Sequence, residues 1–315
     1  MDLLCGLFGK TRQAYYKRKK ETYKESINED LVLTVVRKIR ETQKRTGGRK
    51  LLEMVRERVE HDQLMGRDAF FNLLRSHGLH VRKRKFRAVT TNSFHWLHKH
   101  PNLIKGLSPE RPNHLWVSDI TYISTDNGFL YLYLITDAYS RKIIGWYLAD
   151  NLGSDNAILA LFMAISQLPA NSGEIIHHSD RGIQYCSFKY VKILEDHGIK
   201  ISMTENGDPY ENAIAERVNG ILKTEWLYDM NLHNHCEARE AINQIIRIYN
   251  TERLHSSIEM LTPEQAHSCT GKLKRLWKSY RKIKYNSINP ENTREMKVKT
   301  EEKIIEKNFV NLYQD

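Results

Sequence analysis

The chain is poor in several features that mark whole protein classes. Its 315 residues include only four cysteines (Cys5, Cys186, Cys236, Cys269), far apart and with no CxxC pair. That spacing argues against a disulfide scaffold and a cysteine-based zinc module. No apolar run approaches the roughly 20 residues that a membrane span requires. Met1–Lys20 is too basic and too interrupted for a signal peptide. What is there suits a folding protein of about two domains: 40% apolar residues, enough for a sizeable core, and 28% charged.

Charge is in excess and unevenly spread. The formal net charge is +11. Residues 1–111 carry 26 Lys/Arg against 12 Asp/Glu, residues 112–270 carry 11 against 20, and residues 271–315 carry 12 against 6. A basic N-terminal third, an acidic middle and a basic tail predict three functional zones. Excess cationic charge commonly meets nucleic acid, by neutralising phosphates and releasing counterions. Lysines and arginines kept for solubility would explain the total but not its segregation.

The N-terminal zone reads as short helices. Thr11 caps a basic helix, Arg12-Gln13-Ala14-Tyr15-Tyr16-Lys17-Arg18. Ile27, Leu31, Val35 and Ile39 fall four apart and predict a second helix of roughly 15 residues with that stripe inward. Gly47-Gly48 ends it. Leu51, Leu52, Val55 and Val59 mark a third, and from Arg67 a fourth turns Ala69, Phe70, Leu73 and Leu74 inward as far as Gly78. Short helices joined by glycine turns fit a helix-turn-helix region over 27–88, with a partial one in 1–26. A plain helical bundle fits the pattern equally well. The run Arg82-Lys83-Arg84-Lys85 favours DNA, as a basic arm tracking phosphates, and Arg12 and Arg67 are further candidate contacts. Residues 89–112, with His95, His98, His100, Pro101, Pro109 and Pro112, read as a linker. The histidine spacing there matches no standard zinc set.

From Leu115 the period becomes that of strands. Leu115–Ser124 is β-rich, and Asp126-Asn127-Gly128 predicts a hairpin turn because Asn-Gly tolerates positive φ. Phe129–Ile135 is a continuous apolar run, hence a strand buried on both faces, and Lys142–Leu148 completes a meander. A helix capped by Ser154 runs to Gln167. A strand over 175–178, a helix over 187–197, a strand over 198–203 and a long helix from about Glu211 to Tyr228 follow. The order β-β-β-α-β-α-β-α predicts an α/β layered sheet with three antiparallel strands, then crossovers.

Three acids hold distinctive places in that frame. Asp119 sits mid-strand in Trp116-Val117-Ser118-Asp119-Ile120-Thr121-Tyr122, where a charge is costly unless paired or bound to metal. Asp180 closes the fourth strand in His178-Ser179-Asp180-Arg181-Gly182, at the carboxyl end where α/β sheets place ligands. Glu216 lies in the long helix. Asn212, Glu216, Asn219 and Lys223 recur at helical spacing on one polar face, with Ile214, Val218 and Ile221 on another. An ordinary amphipathic helix would show the same pattern, and each acid alone has an ordinary explanation. Together, on three elements of one sheet, they point to metal chemistry.

Asp119, Asp180 and Glu216, with 35 residues between the last two, resemble the D-D-x35-E core of transposases and retroviral-type integrases. Lys223 follows Glu216 by seven. Tyr249-Asn250-x2-Arg253-x-His255, then Thr262-Pro263, looks like the end of the same core. With its helical N-terminal part, the chain is similar to OrfB-type transposases of the insertion sequence 3 family over about residues 10–268. The stretch Asn231–Cys236 before the penultimate helix is unusual for that family, and the tail beyond Thr270 has no clear counterpart.

The resemblance implies a ribonuclease H-like catalytic core over 113–270, a mixed five-stranded sheet with helices on both faces, behind an all-α region. It implies an enzyme that cuts DNA and transfers strands: water frees a 3′-hydroxyl at the element's end, and that hydroxyl attacks target DNA. It implies two Mg2+ ions, replaceable by Mn2+, with Asp119 bridging both while Asp180 and Glu216 hold one each. Such ions lie about 3.5–4 Å apart and serve in-line displacement at phosphorus. Lys223 and Asn212 would contact DNA. The expected partners are double-stranded element ends and target DNA, in an assembly of at least two copies because two ends are joined. The expected location is the bacterial cytoplasm at the nucleoid, with no membrane contact. Residues 1–26 hold only a late part of a helix-turn-helix, so fusion with an upstream reading-frame product is also expected.

Two other readings compete. A different ribonuclease H-like nuclease or integrase would use the same acids, though no His/Cys zinc module precedes the core as in retroviral-type enzymes. A non-catalytic DNA-binding regulator would leave the three acids without a reason to converge. The tail segment Lys272–Lys282 suits phosphate contacts or a solvated amphipathic helix equally.

Overall fold

The computed structural model describes residue 9 and residues 11–60, 63–81, 96–170, 172–205 and 212–276. Helix α1 (Arg12–Thr42) is a single helix where two were expected. No glycine or proline falls inside it, so nothing local interrupts the hydrogen-bonding ladder. Its cap is as read, with Thr11 Oγ1 accepting from Ala14 N at 3.2 Å. The inward stripe keeps Ile39 but is otherwise shifted by one residue: Val32 and Val36 are buried, Val35 packs only partly, and Leu31 is exposed. Both rows are apolar in sequence, and contact with α2 (Gly48–Arg56) and α3 (Arg67–Ser76) chooses between them. Phe70, Leu73 and Leu74 face that core as expected, whereas Ala69 faces outward.

Strands β1 (Leu115–Thr125), β2 (Gly128–Asp137) and β3 (Ile143–Ala149) form the antiparallel meander. A two-residue turn joins β1 and β2 where one was expected, but its central residues are Asp126 and Asn127, neither at positive φ. The positive φ falls one residue later, on Gly128 at +119°, which opens β2 and pairs with Thr125. Helix α4 (Ser154–Ile165) leads to β4 (Ile176–Ser179). Helices α5 (Ile183–Cys186) and α6 (Phe188–Asp196) then lead to β5 (Lys200–Met203). The sheet order is β3-β2-β1-β4-β5, with β4 parallel to β1 and β5 parallel to β4. This is the mixed five-stranded ribonuclease H-like arrangement. One face packs α4, through Leu161 among others, and α6 over Trp116, Tyr133 and Ile135. The other packs α7 (Ala213–Glu225) and α8 (His235–Thr251) over Leu132, Leu134 and Leu148. Helix α4 needs no side-chain cap, since Gly153 rather than Ser154 holds the cap position.

Residues 96–111 are not a free linker. Leu103 N donates to Ser202 Oγ at 2.9 Å, Met203 N to Pro101 O at 3.3 Å, and Arg111 to Ser172 O at 2.7 Å. The segment's backbone groups find partners on the sheet edge at β5, which proline-rich composition does not announce. The helical region also joins the sheet region directly. Leu254 lies in the core that α1–α3 share, and Trp226 Nε1 donates to Thr42 O at 2.8 Å. The motif Tyr249-Asn250-x2-Arg253 fastens α8 in place. Tyr249 OH donates to Arg141 O at 3.0 Å, Asn250 pairs with both backbone groups of Ile143, and buried Arg253 forks onto Glu225 at 2.6 and 2.7 Å. Among the described residues, no helix is long and apolar enough to cross a membrane.

Candidate active site

Asp119 lies on β1 just past the point where β4 stops pairing. The parallel register matches Leu115, Trp116 and Val117 with Ile176, His177 and His178. Carried on by two residues, it sets Asp180 opposite Asp119, on the same face because strand side chains alternate. Ala215 of α7 sits on that face among Leu115, Val117 and Ile176, which brings the neighbouring Glu216 to the same end of the sheet. Sequence spacing of 35 residues thus becomes spatial grouping through one register and one helix contact.

The electrostatics agree. Burial, and then the nearby charge of Asp180, push the Asp119 carboxyl up to about 7, and Glu216 adds a smaller push. Asn219 opposes this, its side-chain N–H donating to Asp119 Oδ2 at 2.8 Å, as does Ile120 N at 2.9 Å to Oδ1. Asp180 Oδ1 accepts from Gly182 N at 3.0 Å, which fixes the turn after β4. Desolvation also raises Glu216. Among the described residues, no three His, Cys, Asp or Glu side chains close around one point, so the acids are grouped without forming a finished cage.

Beneath the acids, on the opposite face of the sheet, His177 Nε2 shares hydrogen bonds with Ser118 Oγ at 2.7 Å and Tyr190 OH at 2.9 Å. Burial holds His177 down at about 3, so it stays neutral. The trio ties β1 to β4 and α6 directly under Asp119 and Asp180.

Other expected site residues fare differently. Asn212, expected to contact DNA, is buried at the start of α7 and donates to Ser118 O at 2.9 Å. A buried amide already bonded to the backbone of β1 is a fastener for α7. Lys223 is half-buried, with Nζ 3.9 Å from the centroid of the Tyr122 ring. Arg67 is exposed and ion-paired with Asp68 at 3.0 Å, and Arg12 is the first residue of α1. Arg82, Lys83, Arg84 and Lys85 lie outside the described residues, as does the tail from residue 277. Sequence reading placed Asn219 on the polar face but missed its partner. The serine–histidine–tyrosine trio and Tyr122 gave no periodic signal at all.

Two family models, each described as an integrase core domain, match residues 109–209 and 197–263. A 31 kDa protein of insertion element IS600 from Shigella sonnei is 38% identical over 266 residues, covering 82% of this chain and 96% of that relative. Transposase InsF of insertion sequence IS3A from Escherichia coli (strain K12) is 36% identical over 197 residues, covering 61% of this chain and 67% of its own. Among solved structures, the HTLV-2 integrase catalytic core domain in complex with magnesium is 24% identical with a TM-score of 0.42, over 51% of this chain and 99% of that one. The long similarity to an insertion-element protein, the integrase-core matches and the placement of the acids agree: the chain belongs to the insertion sequence 3 family of DDE transposases, polynucleotidyl transferases of DNA transposition.

Proposed function

We propose that Asp119, Asp180 and Glu216 are the catalytic carboxylates of this transposase and together hold two Mg2+ ions, with Mn2+ able to substitute. The observation that carries this is the influence of Asp180 on Asp119: the β1–β4 register, extended two residues past its last pair, sets the two acids side by side, and burial with the charge of Asp180 raises Asp119 to about 7. Placing like charges together in a desolvated site is costly, and a divalent cation relieves the cost. The donor set also fits, since carboxylate oxygen suits a hard cation. Bound there, the ions supply an activated oxygen nucleophile and stabilise the leaving oxygen of the phosphodiester.

The protein's own groups do the placing. Asn219 orients Asp119, the Gly182 amide orients Asp180, and α7 carries Glu216 and Lys223 two turns apart on one face. A separation of seven residues gives a rise of about 10.5 Å, a reach suited to a phosphate next to the one being cut. Lys223 therefore positions the DNA end. The basic region from residue 1 to 111, with Arg12, Arg67 and the arm Arg82–Lys85, binds the duplex through phosphates, and residues 113–270 carry the chemistry. Joining two element ends calls for at least two copies of the chain.

The test is cleavage and strand transfer by the full chain on labelled DNA bearing the element's ends, with Mg2+ or Mn2+. Asp119→Asn, Asp180→Asn and Glu216→Gln should each abolish both steps and leave DNA binding and folding intact. Double variants should be no worse than single ones, because the carboxylates act as a unit. A Glu216→Gln protein that still joined strands would sink the assignment.

A further inference from the structure

Phe129, the second residue of β2, carries a large apolar ring 58% exposed, which the fold alone does not call for. Its ring meets the Tyr122 ring at 5.5 Å between centroids and 84° between planes, an edge-to-face contact. The register pairs Ser124 with Phe129 and Tyr122 with Tyr131, so Phe129 and Tyr122 are diagonal neighbours on one face of the sheet. Tyr122 alternates with Ile123, which faces α7. Lys223 nonetheless reaches the Tyr122 ring from α7, because β4 pairs with β1 only as far as Val117 and leaves the edge beside Tyr122 open.

Among the described residues, Lys223 has no ion pair, yet it is half-buried and feels the charge of Asp119. An ordinary lysine on an amphipathic helix extends into water. This one rests on a ring face, well within the ~6 Å range of a cation–π contact. The choice of seat matters chemically. A carboxylate would neutralise the ammonium and compete with phosphate for its N–H groups. A neutral ring holds the cation in place while leaving its charge available.

We infer that Tyr122 is a positioning residue that seats the Lys223 ammonium beside the acids, with Phe129 bracing the ring from its outer side. The inference rests on the proposed role of Lys223 as a phosphate contact.

The experiment uses the full chain and measures strand-transfer rate against DNA concentration for Tyr122→Leu, Tyr122→Phe and Phe129→Leu, each alone and combined with Lys223→Ala. Tyr122→Leu should raise the half-maximal DNA concentration roughly tenfold, as expected when one partly desolvated cation–π interaction is removed. Tyr122→Phe, which keeps the ring face, should restore it to within about twofold of the parent. Phe129→Leu, a change at an exposed ring that carries the test if Tyr122→Leu fails to fold, should give a smaller rise in the same direction. None of these changes should add to Lys223→Ala. An equal rise in the Lys223→Ala background shows that Tyr122 acts by some other route and overturns the inference. NMR of the Lys223 ε-methylene protons supplies a readout independent of activity. An upfield ring-current shift should be present in the parent, kept in Tyr122→Phe and lost in Tyr122→Leu. Its absence in the parent also overturns the seat. A Lys223→Ala protein that behaves like the parent sinks the phosphate reading and with it the purpose of the seat, while the ring-current shift reports separately whether the seat exists.

Discussion

Asp119 carries a conflict between stability and function that pH should expose. Burial and the charge of Asp180 hold its carboxyl near 7, against 3.8 ordinarily. Between those values the folded protein keeps a proton that the unfolded chain has lost. This carboxyl therefore contributes less to stability as pH rises through 7. Asp119→Asn should raise the melting temperature of metal-free protein at pH 8 by roughly a few degrees, and the gain should vanish towards pH 4. Added Mg2+ should stabilise the parent more at pH 8 than at pH 5, because protons and cations compete for the same oxygens. Thermal unfolding across pH checks both; a destabilised Asp119→Asn protein at pH 8 would contradict them. Asn212 behaves differently. Its buried bond to Ser118 O predicts that Asn212→Ala costs about 1–2 kcal/mol of stability and leaves DNA affinity unchanged, which denaturant melts and filter binding can separate. The acids were legible in the sequence because a charge in a strand of β-branched and aromatic residues is anomalous. The burial of Asn212 was not legible, because polar spacing on a helix does not say which polar residues meet water.

At the level of elements, the site depends on how closely helices approach the sheet. Gly145 of β3 permits α4 to pack against it: a β-carbon there would stand 2.3 Å from Ala160 O and 3.0 Å from the Ala164 β-carbon. Both neighbours belong to the helix and cannot swing away. Gly145→Ala should destabilise the protein by roughly 2–3 kcal/mol, with the cost visible as a lower melting temperature and no change in metal dependence until the fold is lost. The meander, the presence of a tight turn after Thr125 and the crossover helices followed from periodicity and turn composition, since both are local; the turn's register did not, as Gly128 opens β2 instead of sitting in the turn. The single long α1 and its shifted stripe did not, because two adjacent apolar rows on one helix are distinguished only by what packs against them.

Across the whole molecule, charge and packing divide the work without dividing the protein. The basic N-terminal zone predicts DNA binding that weakens steeply with salt. Replacing Arg82, Lys83, Arg84 and Lys85 together by alanine should lower the slope of log affinity against log salt by up to about 3.6, at roughly 0.9 for each phosphate no longer neutralised. A slope unchanged within error would remove the arm from the interface. The helical region is also bound to the catalytic region through Leu254, Trp226 and the buried Arg253–Glu225 pair. Burial pushes Glu225 up, but the hydrogen bonds and charge of Arg253 more than offset this and hold its carboxyl below the ordinary range. Glu225 stands on α7, the helix that also bears Glu216 and Lys223, so the junction and the candidate site share one rigid element.

The sequence by itself determined the order of the sheet elements and the charge zones, and it singled out the three acids as candidates. Each of these is written in local pattern or in composition: alternation, turn residues, and charges set where solvent is scarce. Only the tertiary structure decided which row of α1 is buried, that residues 96–111 lie along β5, that Asn212 fastens α7 and that Tyr122 meets Lys223. Those outcomes depend on contacts between residues as much as a hundred positions apart, and such contacts are set by register and packing between elements rather than by any period along the chain.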